Sequence, residues 1–200
     1  MAVRRENGVL KWAPAGDMPL LNGHGPRQIV LSKDGEFVAP DQLTLGQHLY
    51  TLHARSCIVS HHNLALQSGD QLVSTHNILP GERIDLENRK PPYTFAAALN
   101  YHEPSSTLIA TSRFVNDQPT DSVAFFHVES DGTITSESVV QPKRGKEFRG
   151  VGLFGNHYMV AGQNDGWLSC FEWTGEKAGW VEREFEIPVQ LEKVVDIEVL

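Results

Sequence analysis

The chain has 200 residues, of which 40% are hydrophobic and 21% charged, a composition typical of a folded domain and not of a disordered segment. Its net charge of −8, from 25 acidic and 17 basic residues, disfavours nonspecific binding to nucleic acid or to an anionic membrane. No apolar run approaches the roughly 20 residues that span a bilayer, and the first residues lack the apolar stretch of a secretory signal. We therefore expect a cytoplasmic protein without membrane or nucleic-acid partners.

Short apolar runs separated by Gly, Pro, Asp and Asn predict β-strands throughout the chain. The first runs lie at residues 29–31 and 58–60, and others follow at 107–111, 122–128 and 158–161. The run at 122–128 is apolar at both alternating sets of positions, which indicates a sheet packed on both faces. No segment combines a helix cap, an apolar stripe and a stop signal. The predicted fold class is therefore all-β.

A unit of strand, turn, strand, short loop, strand and turn recurs along the chain. The three units cover roughly residues 22–77, 92–141 and 147–200, and residues 1–21 resemble the outer strand of a preceding unit. Four antiparallel strands in roughly 40–50 residues are typical of a β-propeller blade. The sequence thus predicts a single partial β-propeller of about three to four four-stranded blades, with a lengthened hairpin loop at residues 38–47 of the first unit.

Three strings and one arginine carry a resemblance to a known family. The strings are GHGPRQIVLSKDGEF at residues 23–37, LYTLH at 49–53 and DSVAFFHVESDG at 121–132, and Arg113 ends the strand before the last string. They resemble the lactonase family of seven-bladed propellers, which includes bacterial 6-phosphogluconolactonase-like proteins and fungal carboxy-cis,cis-muconate cyclases. The resemblance covers about residues 8–180 and matches the C-terminal half of the family's ring. It implies a pocket at the mouth of a central channel, a small carboxylated or lactone substrate, and no cofactor.

Alignment of the three units places two sets of equivalent residues around the channel. The set on the first strands is Arg27, Phe95 and Arg149. The set at the ends of the second strands is Ala54, Arg113 and Gln163. Converging guanidinium groups form an anion site, because each offers paired donors to a carboxylate and keeps its charge. The predicted substrate-binding residues are therefore Arg27, Arg113, Arg149 and Gln163. The resemblance agrees at Arg27 and Arg113. The alternative is that each arginine is a solvated edge residue or pairs with a neighbouring acid.

Lactone chemistry also needs proton transfer, for which His24 and His53 are the candidate catalytic residues. The alternative for each is a structural role. In the cyclase-like pattern of the family a glutamate follows the position of His53, whereas Ala54 stands there in this chain. The nine histidines show no chelating spacing, and His61 and His62 would point to opposite faces of one strand. We therefore expect no metal site.

Two functions remain open at this point. One is an enzyme, either an isomerase of cycloisomerase or cyclase type or a lactone hydrolase. It would form, open or rearrange a lactone or ring in a small carboxylated substrate, in a fungal catabolic or secondary-metabolite pathway. The other is a non-catalytic, degenerate propeller fragment that acts as a binding or interaction module. Because a seven-bladed ring needs roughly 300 residues, the expected partner is a second copy or another chain that completes the ring, unless the chain is a truncated remnant.

Overall fold

The structure is a computed structural model that describes residues 2–6, 9–13, 21, 23–31, 48–64, 66, 71–81, 83–88, 91, 93–115, 118–163, 166–175 and 179–183. Side chains are described for all of these except residues 2–6, 9–13 and 31. The hairpin loop predicted at residues 38–47 and the end of the third unit, residues 184–200, lie outside the described residues.

Fourteen strands occur in the described residues, and they form one two-stranded and three four-stranded sheets. The two-stranded sheet pairs β1 (Ala2–Glu6) with β2 (Val9–Ala13). The first four-stranded sheet contains β3 (Pro26–Leu31), β4 (His48–His53), β5 (Ile58–Asn63) and β6 (Leu72–Asn77). The second contains β7 (Phe95–His102), β8 (Thr107–Arg113), β9 (Val123–Val128) and β10 (Ile134–Val140). The third contains β11 (Phe148–Phe154), β12 (His157–Gly162), β13 (Leu168–Trp173) and β14 (Trp180–Arg183).

Each four-stranded sheet is an antiparallel meander in which neighbours in the chain are neighbours in space. The predicted all-β class is confirmed, since the helical structure among the described residues is a single 3-10 turn at Glu103–Ser105. Within the same residues, no helix is long and apolar enough to cross a membrane. The first strand of the second sheet, β7, contacts the first strands of the other two sheets, β3 and β11, so these three strands form the inner edge along which the sheets meet.

The sheets pack face to face through two apolar clusters. β9 is buried along its whole length and contributes to both, because successive side chains of a strand point to opposite faces. Phe126 packs with residues of the first sheet such as Leu52, whereas Phe125 packs with Phe171 and Trp180 of the third sheet. The two-sided packing predicted for this strand is therefore present, and it makes the second sheet the middle of the three.

A polar seam, formed by His48, Tyr50, His61 and Gly132, lies between the first two sheets. Nδ1 of His48 and Nε2 of His61 are 2.9 Å apart, so one ring donates a hydrogen bond to the other. The hydroxyl of Tyr50 donates to the carbonyl oxygen of Gly132 at 2.7 Å, and the His61 ring stacks on Tyr50. Burial, followed by the nearby His48, lowers the pKa of His61 to about 4. The seam therefore joins the two sheets through the Tyr50 hydroxyl, against which the His61 ring stacks.

Each inner strand carries the same irregularity, a β-bulge near its start. The register skips Arg27 in β3, Ala97 in β7 and Arg149 in β11. In the second sheet, the residue equivalent to Arg27 and Arg149 is therefore Ala97. The predicted alignment of Phe95 with these two arginines was wrong by two residues. The reason is physical: the bulge inserts one unpaired residue opposite the second strand, and Phe95 precedes it as a paired residue opposite Arg113.

Candidate functional site

The bulges project two of the predicted binding arginines from the inner strands. Arg27 and Arg149 are both exposed, and each occupies the unpaired position of its strand. Nε of Arg27 donates a 2.6 Å hydrogen bond to the carbonyl oxygen of Ala97, the bulge residue of the neighbouring inner strand. Gln28 adds a second link, because its Oε1 accepts a 2.6 Å bond from the backbone N–H of Leu99. These bonds fix the start of β3 against β7.

Arg113 lies where these cations converge. It ends β8, is half-buried, and places its guanidinium 5.5 Å from the ring centroid of Phe95 and 5.9 Å from that of Phe114. Burial lowers the pKa of Arg113, and the positive charges of Arg27 and Arg149 lower it further. Arg27 and Arg149 are thus both near enough to Arg113 to act on its charge. Nε of Arg113 is buried without a hydrogen-bond partner in the described part of the chain, so it is a donor available to an anion.

Gln163 occupies the equivalent position on the third sheet. Gln163 follows Gly162, the last residue of β12, in the same way that Arg113 follows Ser112 and Ala54 follows His53. The three residues predicted at the ends of the second strands therefore occupy the same place in their sheets. Its backbone N–H donates a 3.1 Å bond to the carbonyl oxygen of Glu147. Its Oε1 is buried and has no partner within the described residues, which leaves a polar atom ready for a ligand hydroxyl.

Sequence reasoning missed two carboxylates beside this cluster, Glu147 and Asp121. Oε1 of Glu147 accepts hydrogen bonds from Arg149, at 2.8 Å from Nη2 and 3.2 Å from Nε. Asp121 is fully buried and accepts from the backbone N–H groups of Val115, Glu147 and Phe148. Burial raises the pKa of Asp121, while these hydrogen bonds oppose the rise. Asp121 therefore fixes the backbone that presents Glu147.

An internal alignment could have revealed Glu147. Residues 23–27 read GHGPR and residues 145–149 read GKEFR, so the two strings share their first glycine and their arginine. In this alignment Glu147 takes the place of Gly25. The second unit reads YTFAA at residues 93–97 and lacks both the glycine and the arginine, so only two of the three units support this alignment.

The two predicted catalytic histidines lie beside each other on the first sheet. The rings of His24 and His53 are 5.9 Å apart in an edge-to-face arrangement. Nε2 of His53 is 2.7 Å from Oγ of Ser60, which is also 3.0 Å from Nε2 of His62. Burial, followed by His24 and His62, lowers the pKa of His53 to about 4. His53 is therefore a neutral, enclosed side chain, whereas His24 is half-buried and its Nδ1 has no partner among the described residues.

The remaining polar clusters offer no metal centre in the part of the chain that the structure describes. No group of three or more His, Cys, Asp or Glu side chains there is placed to bind a metal ion. The predicted opposition of His61 and His62 holds, since His61 bonds His48 while His62 bonds Ser60 on the other face. Both cysteines, Cys57 and Cys170, are buried free thiols.

Three consecutive four-stranded meanders that meet along an inner edge define a partial β-propeller. The predicted partial propeller is confirmed by solved structures that share this fold. The periplasmic gluconolactonase of Pseudomonas aeruginosa superposes with a TM-score of 0.63 at 19% identity, over 88% of this chain and 42% of that one. A candidate 6-phosphogluconolactonase of Bacteroides fragilis gives 0.61 at 17% identity, over 87% of this chain and 41% of that one. A second such protein, from Bacteroides uniformis, gives 0.63 at 14% identity, over 95% and 47%.

The likeness establishes the fold and the resemblance to lactonase-like propellers. The chain spans less than half the length of these solved structures. No family model matches the chain, and no curated protein matches it.

Proposed function

We propose that the chain binds a small lactone at the inner edge of its sheets, opens the ring by hydrolysis and holds the carboxylate that the opening forms. The observation that carries the proposal is that Arg27 and Arg149 lie near the half-buried Arg113, whose pKa is lowered first by burial and then by these two positive charges. Like charges gathered at one point are unfavourable unless an anion neutralises them. The oxyanion of the reacting lactone and then the carboxylate of the ring-opened product supply that charge, and the buried Oε1 of Gln163 accepts from a hydroxyl of the ligand.

Arg113 has the geometry of an oxyanion donor. Its guanidinium lies against two phenyl rings, which exclude water from its faces and strengthen its electrostatic field. When water adds to a lactone carbonyl, negative charge develops on the carbonyl oxygen. A buried N–H of Arg113 directed at that oxygen stabilises the charge more in the transition state than in the ground state. The fold shared with a protein named as a gluconolactonase supports the same substrate class.

The histidines take unequal parts in this proposal. His24 is the better proton shuttle, because it is half-buried and its Nδ1 lacks a partner in the described residues. His53 is enclosed and already bonded to Ser60, so its part is to hold His24 in place. The cycloisomerase form of the reaction has less support than hydrolysis, because Ala54 provides no side chain for proton transfer where the cyclase-like pattern has a glutamate.

A second candidate is a binding module without catalysis, and the enclosure of His53 favours it. A chain that binds carboxylates but cannot move a proton would keep the arginine cluster and lose turnover. Completion of the ring by a second copy or another chain, and a cytoplasmic location, also remain proposals. Light scattering of the purified chain tests the second copy, since a homodimer has twice the 22.2 kDa mass.

The test of the proposed function combines calorimetric titration with an assay of ring opening. The probes are gluconate as the carboxylate and δ-gluconolactone as the lactone, with acid release followed at constant pH. We expect wild type to bind gluconate and hydrolyse the lactone, and Arg113→Ala to lose both. Binding without hydrolysis would favour the binding module. An Arg113→Ala variant that binds as well as wild type would overturn the site.

A further inference from the structure

We propose that Glu147 is the general base of this site, the group that activates the water attacking the lactone. The proposal rests on the proposed function and deepens it by supplying the carboxylate that Ala54 does not provide. Three observations on Glu147 carry it: its backbone conformation, its burial with an ion pair, and its electrostatic coupling to Arg113.

The backbone of Glu147 adopts a conformation that glycine would adopt more easily. Its φ of 59° lies in the left-handed region, where side chains other than Gly are uncommon. The aligned residue of the first sheet, Gly25, has a φ of 70° and is the glycine expected there. Strained residues of this kind persist when their surroundings hold them, and they concentrate at functional sites. The strain points to a use for the carboxylate that a glycine could not serve.

The surroundings hold Glu147 at three points. Its N–H donates to Oδ2 of Asp121, its carbonyl oxygen accepts from the N–H of Gln163, and its carboxylate pairs with Arg149. The side chain is only 8% exposed, whereas that of its partner Arg149 is 43% exposed. A buried carboxylate keeps its charge only when it is paired. Arg149 is therefore the ion-pair partner that the buried Glu147 carboxylate requires, in addition to its proposed part in binding the ligand.

Glu147 is also in electrostatic contact with the proposed oxyanion donor. Its negative charge raises the pKa of Arg113, opposing the effect of burial and of the two other arginines. A base and an oxyanion donor that influence each other in this way can act on one carbonyl group, with the water between the carboxylate and the carbonyl carbon.

The proposed step balances without a further reagent. Glu147 takes a proton from water while the water oxygen bonds to the lactone carbonyl carbon and the carbonyl oxygen becomes an oxyanion facing Arg113. When the oxyanion collapses, the bond from the carbonyl carbon to the ring oxygen breaks, and that oxygen receives the proton from Glu147. The products are a hydroxy acid, which ionises to the carboxylate, and the regenerated Glu147 carboxylate.

The variants Glu147→Gly and Glu147→Gln test the step. Glycine suits the φ of 59°, so Glu147→Gly is expected to melt at or above the wild-type temperature, and glutamine keeps the size of the side chain. Both are expected to lose at least 100-fold in the rate of δ-gluconolactone hydrolysis while still binding gluconate. Sodium formate is expected to restore part of the rate of Glu147→Gly and none of that of Glu147→Gln, because only glycine leaves room for it. A merely structural role would give no rescue.

The matched control is Glu172→Gln, which removes a carboxylate from the surface ion pair with Arg183 and should leave hydrolysis unchanged. An active wild type with an equally active Glu147→Gly would overturn the role of Glu147 and leave the proposed function standing. A wild type that binds gluconate but does not hydrolyse the lactone would overturn both. Loss of hydrolysis in Glu147→Gly without formate rescue, together with loss of gluconate binding, would assign Glu147 to the fold instead.

Discussion

Nε of Arg27 and the carbonyl oxygen of Ala97 are 2.6 Å apart, and both residues are the unpaired bulge residues of their strands. A bulge leaves its backbone groups out of the ladder between its own strands. Here the side chain of one bulge satisfies the carbonyl oxygen of the next. The link keeps the inner strands in register where the ligand is proposed to bind, and Nη1 and Nη2 of Arg27 take no part in it.

The fork geometry of Arg113 is the first point to test, through Arg113→Lys. Lysine keeps the positive charge but has no paired donors and cannot spread over the rings of Phe95 and Phe114. A hydrogen bond to a charged group contributes about 1.5–3 kcal/mol. We therefore expect gluconate affinity to fall about tenfold or more by calorimetric titration.

Arg183→Lys is the matched control for that substitution, because Arg183 forms a surface ion pair with Glu172 on β14. Its gluconate affinity should equal that of wild type. Equal affinity of Arg113→Lys and wild type would show that charge alone matters, and the role of the planar guanidinium would have to be abandoned.

Gly132 should tolerate no side chain. A Cβ there would lie 2.3 Å from Cγ of His48, and the φ of 81° is unfavourable for any other residue. His48 cannot withdraw without breaking its bond to His61. Gly132→Ala should therefore lower the free energy of unfolding by about 3 kcal/mol, the sum of overpacking and backbone strain. Urea denaturation followed by tryptophan fluorescence measures the loss.

The control for Gly132 is Gly175, whose φ is 93° and whose added Cβ would meet nothing within 4 Å. Gly175→Ala isolates the backbone term and should cost about 1 kcal/mol. If the two alanine variants were equally stable, the close approach of His48 to Gly132 would have no energetic weight.

Stability should decrease in acid because of two buried histidines. The pKa values of His53 and His61 are lowered to about 4 in the folded chain, from 6.5 in the unfolded chain. Between pH 6.5 and about 4 the unfolded chain therefore binds more protons, and acid favours it. This contribution is fully present above pH 6.5 and is lost progressively down to about pH 4. Urea midpoints measured from pH 7.5 to 4.5 should stay level down to about pH 6.5 and fall below it.

Glutamine variants assign the slope of that pH dependence to individual residues. His53→Gln and His61→Gln should each flatten the curve below pH 6.5, because neither variant can take up the proton. His157→Gln, at an exposed position of β12, should leave the curve unchanged. A wild-type midpoint that did not change between pH 6.5 and 4.5 would refute the neutral state of both buried rings.

Asp121 should be irreplaceable by asparagine although the two side chains have the same shape. Its two oxygens accept from three backbone N–H groups, those of Val115, Glu147 and Phe148. Asparagine would present an NH₂ group to one or more of these donors, leaving buried polar groups unpaired. We expect Asp121→Asn to lose about 2–4 kcal/mol of stability in urea denaturation.

The same experiment should weaken catalysis, since Asp121 holds the backbone of Glu147. The matched variant is Asp85→Asn, in which an exposed carboxylate accepts from the N–H groups of Glu87 and Asn88. Its change should be much smaller than that of Asp121→Asn. Comparable losses of unfolding free energy in the two variants would mean that burial does not strengthen the contribution of the Asp121 hydrogen bonds.

The blade architecture could be predicted from the sequence because each strand pairs with its neighbour in the chain and Gly, Pro, Asp and Asn residues mark the turns between them. The alternating apolar run at residues 122–128 and the repeated order of strands and turns predict the three sheets. Arg113 and Gln163 could be placed for the same reason, since each directly follows a regularly paired segment.

The bulges and the carboxylates could not be predicted in this way. The string FAAAL at residues 95–99 has no residue that marks a skipped position, so Phe95 was placed where Ala97 lies. Asp121 and Glu147 gain their roles from backbone N–H groups that only the folded chain brings together. An acidic residue in a sequence carries no sign of the donors that surround it.

The repeated bulge places one residue of each inner strand outside the hydrogen bonding that holds its sheet together. The skipped register leaves residues 27, 97 and 149 outside the ladders of their own sheets, although Arg27 also links β3 to β7. Two of these positions carry arginine and the third alanine, so the three blades already differ in what they offer a ligand. Substitution at one position per blade would change the charge at the inner edge without removing a rung of any sheet, which makes these positions the first targets for redesign of the proposed site.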